Sequence, residues 1–128
     1  ILIFGDMLCY ELAEEIYDQA VEEGKMPVEV RDQQLSAIIP YYKSFTKEQM
    51  NDVVKIDSSL AAMQFMLIAR SHGYETNPIG GFEADQLAES FGLNKDRYTP
   101  VMILSIGKAK EAGYTSVRLP AEKITEFK

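Results

Sequence analysis

The sequence predicts a helix-rich α+β fold. Two short apolar runs, Ile1-Leu2-Ile3-Phe4 and Val101-Met102-Ile103-Leu104-Ser105-Ile106, have the length and residue types of buried strands. Between them, long stretches carry apolar residues at helical spacing. At 128 residues the chain makes a single domain, residues 1–128. Surface scaling allows about two-thirds of its surface to be buried, enough for a core without staples.

The first strand closes in a turn at Gly5-Asp6. Met7 to Glu23 then reads as a helix, with Leu8, Leu12, Ile16 and Ala20 recurring every four residues. Asp6 suits its N-cap and Gly24 its C-terminal stop. A second helix is expected over Val28 to Ser44, with Pro40 kinking or ending it. Thr46 and Gln49 have the types and spacing of a capping box. From Asp57 to His72 the residues are apolar nearly all round, which places that helix in a core or an oligomer interface, and Gly73 stops it. Asn77 to Glu83 reads as a loop, because Pro78 and the pair Gly80-Gly81 call for special backbone geometry. A short helix follows over Glu83 to Phe91, then the strand Val101 to Gly107, an extended tail from Tyr114 to Pro120, and a trailing end.

Both strands read as central, yet two short strands make no stable sheet with both faces covered. The first also starts at residue 1 with no Met and no lead-in. The expectation is an incomplete domain whose remaining strands come from another segment or another subunit.

Charge and residue counts exclude several functions. The formal net charge of −7 argues against a nucleic-acid or anionic-membrane binder, which needs a cationic face. Cys9 is the single cysteine, so there is no internal disulfide and no Cys/His metal cluster; a reducing, cytoplasmic setting is the expectation. No apolar run approaches the length of a membrane helix. His72 is the only histidine, so no Ser-His-Asp or Cys-His arrangement can be built within these residues. Its place in the last turn of a helix suits a helix-end role. Cys9 lies near a helix start, which can activate a thiol, but has no base partner and reads as packed. The pairs Glu14-Glu15 and Glu22-Glu23 read as a solvated face, and Met63, Phe65 and Met66 as core. Tyr41, Tyr42 and Phe45 read as packing, with an aromatic wall for a planar ligand as the other option. No carboxylates have metal-site spacing, so no metal is expected.

Two features point to chemistry. Pro78-Ile79-Gly80-Gly81 precedes a short helix, and glycines leave backbone N–H groups open to an acceptor on a planar ring. Alone, it is also a tight turn. Arg118, two residues after Ser116, has the fork that grips phosphate oxygens, or else makes a surface ion pair.

Gly73-Tyr74-Glu75-Thr76-Asn77-Pro78-Ile79-Gly80-Gly81-Phe82, then Phe91-Gly92-Leu93, Ser105-Ile106-Gly107 and Arg118-Leu119-Pro120 together resemble the C-terminal portion of the FMN-dependent nitroreductase family, over essentially the whole chain. The resemblance implies a nitroreductase-like fold, with helices packed around a central, mostly antiparallel sheet. It implies a homodimer with FMN at the subunit interface. NAD(P)H and a nitroaromatic or quinone-like acceptor would alternate over one flavin face in a ping-pong scheme, with no side chain as general acid or base. Pro78, Ile79, Gly80 and Gly81 would line the flavin ring near its reactive nitrogen, their backbone stabilising the reduced ring. Arg118 would hold the FMN phosphate. Ser116 stands where some members carry Lys, and Lys108 is a candidate replacement. Gly80 replaces an acidic residue of some members. The helix from Asp57 would be the central dimer helix. The family's N-terminal half, with its own phosphate and ribityl motifs, is absent from these residues. A non-catalytic flavin-binding or dimerisation module, or an inactive fragment of such an enzyme, is the alternative.

Overall fold

The computed structural model describes all residues, 1–128. Its elements run β1 (Leu2–Asp6), a 3-10 turn (Cys9–Leu12), α1 (Ala13–Glu22), α2 (Val28–Lys43), α3 (Lys47–Ser71), β2 (Glu75–Ile79), α4 (Ala84–Ser90), β3 (Tyr98–Gly107) and a final 3-10 turn (Ala121–Lys123). The three strands form one antiparallel sheet in the order β1-β3-β2. The α+β prediction holds, and β3 is the central strand.

Several boundaries differ from the sequence expectation. The first helix starts at Ala13 rather than Met7, because Asp6 caps locally instead of opening a helix. Its Oδ1 accepts the Leu8 N–H at 2.9 Å, which turns the chain into a 3-10 segment first. Pro40 does not end α2, which continues to Lys43. The long helix begins at Lys47, ten residues earlier than its apolar run, since the Thr46–Gln49 capping box is fully formed and starts it there. Gly73 ends it with φ near 72°, a left-handed conformation that glycine takes without strain. The segment from Asn77 was expected to be a loop; its first part is instead strand β2, and the tail from Tyr114 to Pro120 forms no strand.

α3 lies across one face of the sheet and touches all three strands. Its inner face carries Met50, Val54, Ala62 and Ala69, all buried. Close approach needs Gly5: a Cβ there would stand 2.6 Å from Val54 Cγ2. Gly5→Ala therefore forces β1 away from α3 and is expected to cost about 1–3 kcal/mol, read as a lower thermal midpoint. An unchanged midpoint would mean that the two elements separate freely. Nearby, Met7, Met50 and Val54 form a small core against which Tyr10, Tyr42 and Phe45 pack. Tyr42 and Phe45 are thus packing residues, with Tyr41 stacked edge-on at the surface.

An ion pair ties the end of β1 to the start of β3. Arg97 donates to both Asp6 oxygens, at 2.9 and 2.8 Å, and reaches Glu11 at 3.0 Å. Burial works to raise the Asp6 pKa, but the hydrogen bonds from Arg97 and from the Leu8 N–H outweigh it and hold the carboxyl below its usual range. A carboxyl depressed in the folded state stabilises fully above its unfolded pKa of about 3.9 and loses that contribution as pH falls through the lower folded value. Stability should therefore drop on acidification below about pH 4, and Asp6→Asn should flatten that drop. Denaturant midpoints at neutral and acid pH measure both.

The chain buries less surface than scaling allows a complete globule of its size, in line with the expectation of an incomplete domain. The chain exposes 10,007 Å², against roughly 6,800 Å² for a globule of its mass. Only ten residues are buried. The helix expected to be apolar all round is apolar on two faces. Its outer face shows Ile56, Leu60, Met63 and Leu67, each at least half exposed. Their spacing of four, three and four residues is that of a helix–helix seam. The tail adds Tyr114, Val117, Leu119, Ile124 and Phe127, all standing clear of the body.

Candidate functional site: the Pro78–Gly81 turn

The sheet presents the Pro-Gly segment, and register shows how. After Gly73, the Tyr74 N–H returns to the Ala69 carbonyl at 3.0 Å, which directs the chain into β2. β2 pairs with β3 as Asn77 with Ser105, Pro78 with Leu104, and Ile79 with Ile103. Leu104 exchanges both of its backbone hydrogen bonds with Ile1 on the opposite side, each at 2.8 Å. In an antiparallel sheet a residue turns its N–H and C=O the same way, so Pro78–Leu104 is a non-hydrogen-bonded pair. Pro78 is therefore accommodated: its missing N–H would point off the sheet edge, where a ladder needs no donor. Sequence reasoning missed this strand because proline usually argues against one; the edge position removes that objection. The same alternation assigns backbone hydrogen bonds to Asn77–Ser105 and Ile79–Ile103. Ile79 is thus the last fixed residue before the glycines.

Gly80 and Gly81 follow outside any element. A Cβ built at either meets nothing within 4 Å. Their N–H groups donate to no backbone carbonyl. On the far side the chain is fixed again by α4, whose Ala88 is buried, and by the Gly92 stop with φ near 70°. The turn is therefore an open, donor-bearing stretch held at both ends. It fits the edge of a planar ring that carries hydrogen-bond acceptors.

The other predicted residues lie elsewhere. Ser116 and Arg118 sit on the exposed tail, and Arg118 bonds only its neighbour's carbonyl, Val117, at 3.1 Å. Within one chain the structure does not bring them to the glycines. Lys108 is engaged: its Nζ donates to the Gly73 carbonyl and stands 4.3 Å from the Tyr74 ring centroid. It anchors the α3–β2 turn. His72 caps α3, where its N–H bonds the Ile68 and Ala69 carbonyls. Burial, followed by the nearby carboxylates of Asp6 and Asp57, pushes the Cys9 thiol pKa up, so it is packed rather than activated. No cluster of metal-ligating side chains is present, and no helix is long and apolar enough to cross a membrane.

Comparison with known proteins places the chain by sequence and by fold. The family model described as Nitroreductase family matches residues 7–108. The chain is 49% identical over its whole length to YdgI of Bacillus subtilis, whose name assigns it as an NAD(P)H nitroreductase, and covers 61% of that protein. It is 32% identical over 99% of its length to the CLA biosynthesis enone reductase of Lactiplantibacillus plantarum, covering 58% of it. It superposes with a TM-score of 0.95 and 57% identity on a structure from Exiguobacterium sibiricum, assigned as a nitroreductase and solved in complex with FMN; the match covers all of this chain and 61% of that one. The chain thus spans about three-fifths of the length of these relatives. The chain shares its overall fold with a solved structure, and it belongs to the nitroreductase family.

Proposed function

We propose that this chain supplies the flavin-contacting part of an FMN-dependent NAD(P)H oxidoreductase of nitroreductase type that works as a homodimer. The observation that carries the proposal is the turn itself: two adjacent glycines with free N–H groups, held between a strand end and a helix. FMN, when bound, supplies reversible two-electron hydride chemistry. Gly80 and Gly81 donate backbone hydrogen bonds to the acceptor edge of its ring, and the missing side chains let that edge come close. Pro78 and Ile79 flank it with apolar surface. Arg118, with Ser116, holds the phosphate through charge-assisted hydrogen bonds. No side chain here acts as general acid or base. NAD(P)H and a nitroaromatic or quinone-like acceptor use the same open face in turn. The Ile56–Leu67 stripe of α3 meets its copy in the dimer.

A second reading is a flavin-binding or dimerisation module without turnover, or an inactive fragment of such an enzyme, and the absence from these residues of the family's N-terminal phosphate motif favours it. Steady-state NAD(P)H oxidation with added FMN and a quinone decides between them. Turnover above the free-flavin blank is expected of the enzyme. Flavin retained without turnover selects the module.

A further inference from the structure

We infer that Leu104 is a positioning residue for the Pro78–Gly81 turn, setting where its glycine N–H groups meet the flavin. The inference rests on the flavin reading above and adds to it a residue that touches no ligand.

Leu104 is the one large side chain with no exposure at all, in a chain where only ten residues are buried. Its backbone is spent on β1, through the two hydrogen bonds with Ile1. Toward β2 it therefore offers only its side chain, and it faces Pro78, which has no N–H. Non-hydrogen-bonded pairs bring side chains closest together. Pro78 is in turn two residues from Gly80. Alternation turns both residues toward the α3 side of the sheet, where Leu104 is buried and Pro78, on the edge strand, keeps an exposed outer surface. Gly5 lies against Val54 of α3, so Ile3 and Ile1 share its face, and Leu104 and Pro78 align with Ile1. Leu104 thus fills the space between the helix and the start of the turn. Backbone bonds fix the turn along the strand at Ile79, whereas the exposed Pro78 has no such bond to β3, which leaves the Leu104 side chain opposite it to support its inner side. Removing side-chain volume behind Pro78 lets the strand end settle toward α3, carrying Gly80 and Gly81 with it.

Val54 supplies the control. It is also buried under α3, but it packs at Gly5, whose β3 partner is Thr99, five residues from Leu104. The test compares Leu104→Ala, Leu104→Val, Leu104→Met and Val54→Ala in FMN-loaded protein, reading thermal midpoint, FMN dissociation constant, visible flavin spectrum and flavin midpoint potential. Leu104→Ala should weaken FMN about tenfold and shift both spectrum and potential. Leu104→Met should restore all three, and Val54→Ala should lower the thermal midpoint alone. Leu104→Val, a smaller truncation, gives the same readings in reduced form if the alanine variant does not fold. The inference is overturned if the Leu104 variants keep the wild-type spectrum and potential, or if Val54→Ala shifts them equally. Failure of the wild-type protein to hold FMN would instead overturn the flavin reading beneath it.

Discussion

Leu60→Asp is expected to convert the proposed homodimer to a monomer. Leu60 is 67% exposed in the isolated chain and lies at the middle of the Ile56–Leu67 stripe. Burying such a side chain against a copy of itself contributes about 2–3 kcal/mol. Both protomers lose that contribution, and two carboxylates meet where apolar surface was buried. The dimer should weaken by at least about a thousandfold. Light scattering reads this directly, and the monomer should keep its helical signal, because the inner face of α3 is untouched. The surface area argues the same way. The chain exposes roughly 3,000 Å² more than a globule of its mass, which exceeds the roughly 1,000–2,500 Å² that each subunit of a lasting homodimer buries, so a dimer seam accounts for part of it. A variant that stays dimeric would place the interface elsewhere, with the apolar tail as the next candidate.

Arg118→Ala and Ser116→Lys should move FMN retention in opposite directions. The arginine offers up to two parallel charge-assisted bonds to a phosphate, and its removal should weaken FMN by ten- to a hundredfold, or about 1.5–3 kcal/mol. Ser116→Lys adds a cation two residues away in the sequence. It should tighten binding at low salt, and both differences should shrink as ionic strength rises. Equilibrium dialysis at two salt concentrations measures all of this. Equal FMN affinity in Arg118→Ala would remove Arg118 from the site.

How much was legible in the sequence follows from the kind of signal each element carries. α3 and the capping box at Thr46 were readable because periodicity and caps are local. β1 and β3 were readable because buried strands are continuous apolar runs. β2 was not, since Glu75-Thr76-Asn77-Pro78-Ile79 lacks that run and contains a proline; only the pairing with Leu104 shows why proline fits there. The two-faced character of α3 was half legible: composition gave an apolar helix, but which face meets the sheet depends on Gly5 and Val54, far apart in sequence. The glycine turn was legible by residue type. Its freedom from internal hydrogen bonds, and the role of Leu104 behind it, required the register. Arg118 was singled out by chemistry, and the extended tail leaves its distance from the turn to be set by assembly.

The central claim is that this chain contributes to an FMN site, and the visible spectrum of the purified protein after incubation with FMN and desalting tests it most directly. A retained flavin band, at about one FMN per chain and lost in Arg118→Ala, is the predicted result. A colourless protein, both for this chain and for a longer chain with the length of its relatives, would contradict it.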